Sequence, residues 1–153
     1  MKLFLITVAA AVLLNAADPA GFGQWKGSEL KNLEKRLASK IDQHKIASQP
    51  LASYGNHTLS VIHREGSGEA ELHETQADLF VVQSGEATLV IGGSVIDPKT
   101  TAPNEIRGPS IKDGERKRLG PGDVVHIPAK TPHQLMVDSG KQITYVIAKV
   151  NAE

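Results

Sequence analysis

Glu71 and His73 stand two residues apart, so an extended strand presents both side chains on one face. The polar run 74–77 can turn the chain, and Asp78 then opens a returning strand beside them. Phe80 and Val82 share the face of Asp78. Two carboxylates and an imidazole converging on an apolar surface are costly unless something compensates them. A divalent cation would do so. A second imidazole, His133, follows Thr131-Pro132 and shares a strand face with Leu135 and Val137. A histidine on such a face is either a hydrogen-bonded core residue or a ligand.

The flanking punctuation sets where these side chains sit. Gly85 ends the strand that begins at Asp78. The turn Gly120-Pro121-Gly122 precedes an apolar strand (Val124, Val125, Ile127) that stops at Pro128. Together the two stretches resemble the paired signature motifs of the cupin superfamily. In the first, Glu71 stands at the usual first histidine, His73 at the second, Asp78 at the glutamate and Gly85 at the glycine; the upstream glycine is displaced by one, to Gly66. In the second, Gly122, Pro128 and His133 match, whereas Lys130 replaces a glycine and Val137 an asparagine. The resemblance covers roughly residues 57–150. It implies one cation ringed by Glu71, His73, Asp78 and His133. Two neutral imidazoles and two carboxylates suit Zn, Fe(II), Mn or Ni without choosing among them. Asp78 is a methylene shorter than the family's glutamate, which implies a reach to the metal through water. The alternative is a degenerate site kept as a hydrogen-bonded polar core.

Around this set, His63 shares a face with Leu59 and Val61 and is expected at the cavity mouth. His126, opposite Val125 and Ile127, is expected at an outer surface or contact, or as support behind the ligands. Phe80, Val82, Leu135 and Val137 are expected as apolar cavity walls. Lys130 and Arg107 flank the site in sequence and could attract an acidic ligand.

Many short strands with turn signals between them indicate an all-β sandwich or barrel. The resemblance narrows this to a double-stranded β-helix, the jelly-roll barrel of cupins, over residues 57–153. Residues 18–56 read as an N-terminal extension. Leu30, Leu33, Leu37 and Ile41 recur at helical spacing after a Ser28 cap, which predicts one amphipathic helix at about 29–43. Residues 46–55, with Pro50, read as a connector, and 97–109 as a long ordered loop or lid. Gly92-Gly93 and Asp113-Gly114 read as hairpin turns. The last strand, 142–150, is apolar on both faces, as for a strand covered on both sides.

Lys2 followed by the apolar run 3–17, ending in Ala16-Ala17, has the pattern of a secretory signal peptide (residues 1–17). The run is short for a transmembrane span. A periplasmic or secreted protein is therefore expected, with no stable membrane span after processing. With 17 basic and 17 acidic residues, the chain offers no electrostatic case for nucleic acid. The absence of cysteine excludes disulfides, thiolate ligands and a cysteine nucleophile. Three functional classes follow. The first is an exported metal-binding cupin of unassigned activity on a small molecule, such as a dioxygenase or isomerase. The second is a non-catalytic module binding a sugar or organic acid. The third is a metal-free interaction scaffold, with a homodimer as a possible assembly.

Overall fold

The computed structural model describes residues 18–152. The expected signal peptide, 1–17, lies outside the described residues. Among the described residues one helix, α1 (Gly27–Ala38), precedes thirteen strands: β1 (Ile46–Ser53), β2 (His57–Arg64), β3 (Ala70–His73), β4 (Gln76–Gly85), β5 (Ala87–Ile91), β6 (Ser94–Val95), β7 (Lys99–Ala102), β8 (Glu105–Gly108), β9 (Ile111–Lys112), β10 (Glu115–Leu119), β11 (Val124–Ile127), β12 (His133–Met136) and β13 (Ile143–Asn151). They form an antiparallel five-stranded sheet in the order β1-β2-β13-β4-β11 and a six-stranded sheet in the order β10-β5-β12-β3-β8-β7, with a small β6-β9 ribbon. This is the all-β, two-sheet architecture of the expected barrel.

The inner faces of the sheets bury one core, including Phe80, Val82, Leu89, Leu119, Ile127, Val137, Ile143, Tyr145 and Ile147. Tyr145 and Phe80 meet with ring centroids 5.0 Å apart and fill its middle. The outer face of the five-stranded sheet is covered by α1, whose Leu33 and Leu37 pack on Val61 with Val146 alongside. Each leucine contributes about 2 kcal/mol by leaving water. Strand β13 is thus packed on both faces, as its double apolar pattern predicted.

The helix starts and stops earlier than its periodicity suggested. The backbone N–H of Lys26, not a Ser28 side chain, closes the first turn by donating to Glu29 Oε2 at 2.8 Å. Ile41 continues the apolar spacing but is not helical, because Asp42 Oδ1 accepts the backbone N–H of His44 (2.8 Å) and of Ile46 (3.1 Å). That side-chain turn competes with helix and redirects the chain into β1. Residues 46–53 are therefore a strand and not a connector. Pro50 fits because β1 is an edge, and the register shifts between Pro50 and Ala52.

Two other expectations change in the six-stranded sheet. Residues 99–108 form the hairpin β7–β8 rather than a lid, turning at Asn104 with φ 64°. Strand β8 pairs with β3, which carries Glu71 and His73. Gly92-Gly93 does not return β5 onto β6. Instead β5 pairs with β10 and β12 while β6 pairs with β9, so both glycine-containing turns sit at a corner where the ribbon leaves the sheet. A Cβ on Gly93 would lie 2.2 Å from Lys112 O, so this corner requires glycine.

The motif positions set the ends of the site strands. Gly85 has φ 76°, and a Cβ there would meet Gln142 O at 2.0 Å. Lys130, at the family's glycine, adopts φ 64° and donates its backbone N–H to His73 O at 2.7 Å. This bond docks the turn before β12 onto the end of β3.

Candidate metal centre

The polar cluster is built from cross-strand pairs. In the six-stranded sheet, His133 on β12 lies directly opposite Glu71 on β3. In the facing sheet, Asp78 on β4 lies directly opposite Lys149 on β13. His73, two residues along β3 from Glu71, completes the inward row. The barrel interior thus receives one acid–base pair from each wall.

Glu71, His73 and His133 each offer a ligand atom, and the three atoms lie within 4.8 Å of one another. Glu71 Oε2 is 3.5 Å from His73 Nε2 and 3.9 Å from His133 Nε2. Asp78 Oδ2 stands 3.5 Å and 3.6 Å from the same two nitrogens. Asp78 Oδ2 is thus within ligand spacing of both imidazoles, although Asp78 stands outside the triad whose donors all lie within 4.8 Å of one another. A tetrahedral ion with bonds of about 2.1 Å places neighbouring donors about 3.4 Å apart, so these spacings fit a transition ion.

The ring nitrogens are already oriented for that role. His73 Nδ1 lies 2.8 and 2.9 Å from the two oxygens of Glu105, and His133 Nδ1 lies 3.0 Å from Thr131 O. A carboxylate and a carbonyl can only accept, so both Nδ1 atoms carry the proton. Both Nε2 lone pairs then point into the cluster, the arrangement that fixes metal-binding histidines. Glu71 is held similarly. Its Oε1 faces Arg107 (2.5 Å) and Arg64 (3.7 Å), which leaves Oε2 to the imidazoles.

Electrostatics follow from this packing. Burial pushes the Glu71 carboxyl up, but its hydrogen bond with His73 and the nearby Arg107, His133 and Arg64 outweigh that and hold it at about 2. Burial also opposes charge on Asp78. Hydrogen bonds with His133 and His73, and the Lys149 ammonium, nonetheless keep it well below the usual carboxylate range. For His73, burial, the largest effect, and the Lys149 charge push downward, while hydrogen bonds to Asp78 and Glu71 push upward.

Lys149 is the residue that sequence reasoning missed. Its Nζ lies 2.8 Å from His73 Nε2 and donates to Asp78 Oδ1 at 2.9 Å and Oδ2 at 3.3 Å. An ammonium has no lone pair to offer, so this contact is Lys149 donating to a neutral imidazole. The pull of the carboxylates toward a second proton on His73 opposes that state, and the lysine charge counteracts it. The sequence does hold a signal. Lys149 falls on the same face of β13 as Tyr145 and Ile147, which is the interior face. Glu105 was missed because its strand read as a loop.

Other expected positions fall differently. Phe80 and Leu135 do line the interior beside the cluster, with Ile62, Leu89, Tyr145 and Ile147, while Val82 and Val137 are packed into the core. His63 is not at the cavity mouth. It is buried on the outer, helix-facing side of β2 with Val61, where Nδ1 meets Thr144 Oγ1 at 2.8 Å and Nε2 meets Glu65 at 3.2 Å. Strand alternation turns its neighbours Ile62 and Arg64 inward instead. His126 is exposed on edge strand β11.

The cavity at the cluster is only about 60 Å³, room for a few water molecules and far below a typical ligand pocket. It shares Arg64 and Glu71 with an outer vestibule of about 360 Å³, lined also by His44, Ile46, Ser67, Gly68, Glu69 and Arg107. A larger open depression of about 640 Å³ lies at the Gly85 end of β4 and includes none of the cluster residues.

No family model and no curated protein matches this chain. Solved structures do. The polyketide cyclase RemF from Streptomyces resistomycificus is 18% identical, with 69% of this chain and 65% of that chain covered and a TM-score of 0.51. The DMSP lyase DddQ from Ruegeria pomeroyi is 16% identical, with 70% and 47% covered and a TM-score of 0.50. A Ralstonia eutropha protein named for a mannose-6-phosphate isomerase is 20% identical, with 70% and 85% covered and a TM-score of 0.50. This chain thus spans less than two thirds of the cyclase and about half of the lyase. Motif spacing, sheet order and these structural neighbours agree that the chain has the cupin-type double-stranded β-helix fold.

Proposed function

We propose that this protein is a metal-binding cupin that holds one divalent transition ion through Glu71, His73, Asp78 and His133 and engages a small molecule from the outer vestibule. The observation that carries this reading is the paired tautomer lock. Glu105 and the Thr131 carbonyl take the Nδ1 protons, so both Nε2 lone pairs face the two carboxylates. An ion bound there would supply a Lewis-acid centre able to polarise a ligand oxygen. The chain's own contribution is to aim the donors, to hold Glu71 from behind with Arg64 and Arg107, and to keep bulk water away with Phe80, Leu135 and Tyr145. The small inner cavity admits only the reacting end of a ligand, leaving its body in the vestibule beside the two arginines. That placement suits an organic acid better than an apolar molecule. Cyclase, lyase and isomerase names among the structural neighbours are compatible with chemistry at such a centre and do not select one reaction.

A second reading has its own support. The Lys149 ammonium already offsets negative charge in the cluster, and among the described residues no buried side-chain polar atom lacks a hydrogen-bond partner. On this reading the barrel is a metal-free scaffold. Calorimetric titration of the chelator-treated full chain with zinc separates the two. One ion per chain at micromolar affinity or better supports the metal centre; no binding at millimolar zinc supports the scaffold.

Export belongs to the same proposal and rests on Lys2 and the apolar run 3–17. Among the described residues no helix is long and apolar enough to cross a membrane. N-terminal sequencing of the protein from its native host is expected to begin between Ala16 and Gly21. An intact Met1 on cytoplasmic protein would sink the export reading.

A further inference from the structure

We infer that Lys149 is a resident cation of this centre: its ammonium occupies the cation position between His73 and Asp78 and must leave His73 for a divalent ion to bind. The inference deepens the metal-centre reading above and rests on it. It stands on one constraint of valence. His73 Nε2 has a single lone pair in the cluster, since Nδ1 spends its proton on Glu105. Lys149 Nζ takes that lone pair at 2.8 Å and spans to Asp78 Oδ1 at 2.9 Å. A transition ion needs the same lone pair, so the ammonium and the ion are mutually exclusive partners of His73.

The position of Lys149 makes the exchange feasible. It sits opposite Asp78 in register, on a flexible stem, near the end of β13. Its side chain is 30% exposed, whereas those of Asp78 and His73 are 6% and 2% exposed. The ammonium can therefore swing toward water while the ligands stay in place. No covalent bond changes, and Lys149 keeps its protons. Two consequences follow. The carboxylates are compensated before loading, so the barrel folds without an ion. The site also gives up part of its metal affinity to internal competition. Loading then delivers a free ammonium to the rim of the centre, where it can meet an anionic group on a ligand.

The test compares wild type with Lys149→Met in the full, chelator-treated chain, using zinc alone as the probe. Lys149→Met is expected to bind zinc roughly tenfold or more tightly than wild type, because a charge-assisted competitor is gone. Its melting temperature is expected to be lower than wild type in chelator and to rise more on adding zinc. In wild type, acetylation of Lys149 by acetic anhydride, mapped by mass spectrometry, is expected to increase several-fold when zinc is bound. Lys149→Gln and the wild-type labelling decide the matter should Lys149→Met fail to fold. Equal zinc affinity in wild type and variant, or Lys149 labelling unchanged by bound zinc, overturns the inference while leaving the metal centre intact. Absence of zinc binding in wild type and both variants overturns the metal reading and this inference together.

Discussion

His133→Ala is expected to weaken zinc binding by roughly 100-fold or more, beyond the effect usual for residues that merely support a ligand. His133 is the only proposed ligand from the second motif, and it enters on β12 directly opposite Glu71. Its Nε2 lies 3.6 Å from Asp78 and 3.9 Å from Glu71, so no other imidazole can replace it at that corner. The loss should also appear as stability. Zinc at 100 times its dissociation constant stabilises the wild-type fold by about 2.7 kcal/mol, or roughly 8 °C in melting temperature for a domain of this size. His133→Ala should show almost none of that increment. Its fold in chelator should persist, because the core lies mainly on other residues, including Phe80, Ile127, Tyr145 and Ile147. Wild-type zinc affinity in His133→Ala would remove His133 from the ligand set.

Asp78→Ala is expected to destabilise the chelator-treated protein by about 2–3 kcal/mol. Breaking a buried ion pair by removing one partner typically costs about 3–5 kcal/mol, and the partial exposure of Lys149 places this case toward the low end. The aspartate is the counter-charge for Lys149 at 2.9 Å and a neighbour of both imidazoles. Removing it leaves an ammonium beside His73 with no carboxylate to receive it. Adding Lys149→Met to Asp78→Ala should therefore recover part of the loss, giving a coupling of about 1 kcal/mol or more in a urea-denaturation cycle. A change in Asp78→Ala within about 0.5 kcal/mol of wild type, an ordinary surface-substitution effect, would show that the pair is not integral to the fold.

Much of this site could be read without coordinates because its spacing is local. Glu71, His73 and Asp78 share one short segment, and Gly85, Gly122 and Pro128 mark the ends of the strands that carry the motifs. What escaped depends on pairings across the chain. Lys149 meets Asp78 from 71 residues away, and Glu105 meets His73 from 32. No local pattern names such partners, although the inward face of β13 marks Lys149 as unusual. Prolines misdirected the reading in two places. Pro50 breaks a central strand but not an edge one such as β1, and the prolines around residues 98–109 lie beside the strands of the β7–β8 hairpin. The alternation of β2 places His63 on the right strand but not on its inner face. Its face is apolar because α1 covers it, and a covered outer face reads like an inner one.

Elemental analysis of the protein, purified without chelator from its native host, tests the central claim most directly. The account predicts close to one zinc, iron, manganese or nickel ion per chain, lost in His133→Ala. Wild-type protein that carries none of these ions and takes up none on exposure to zinc would contradict it.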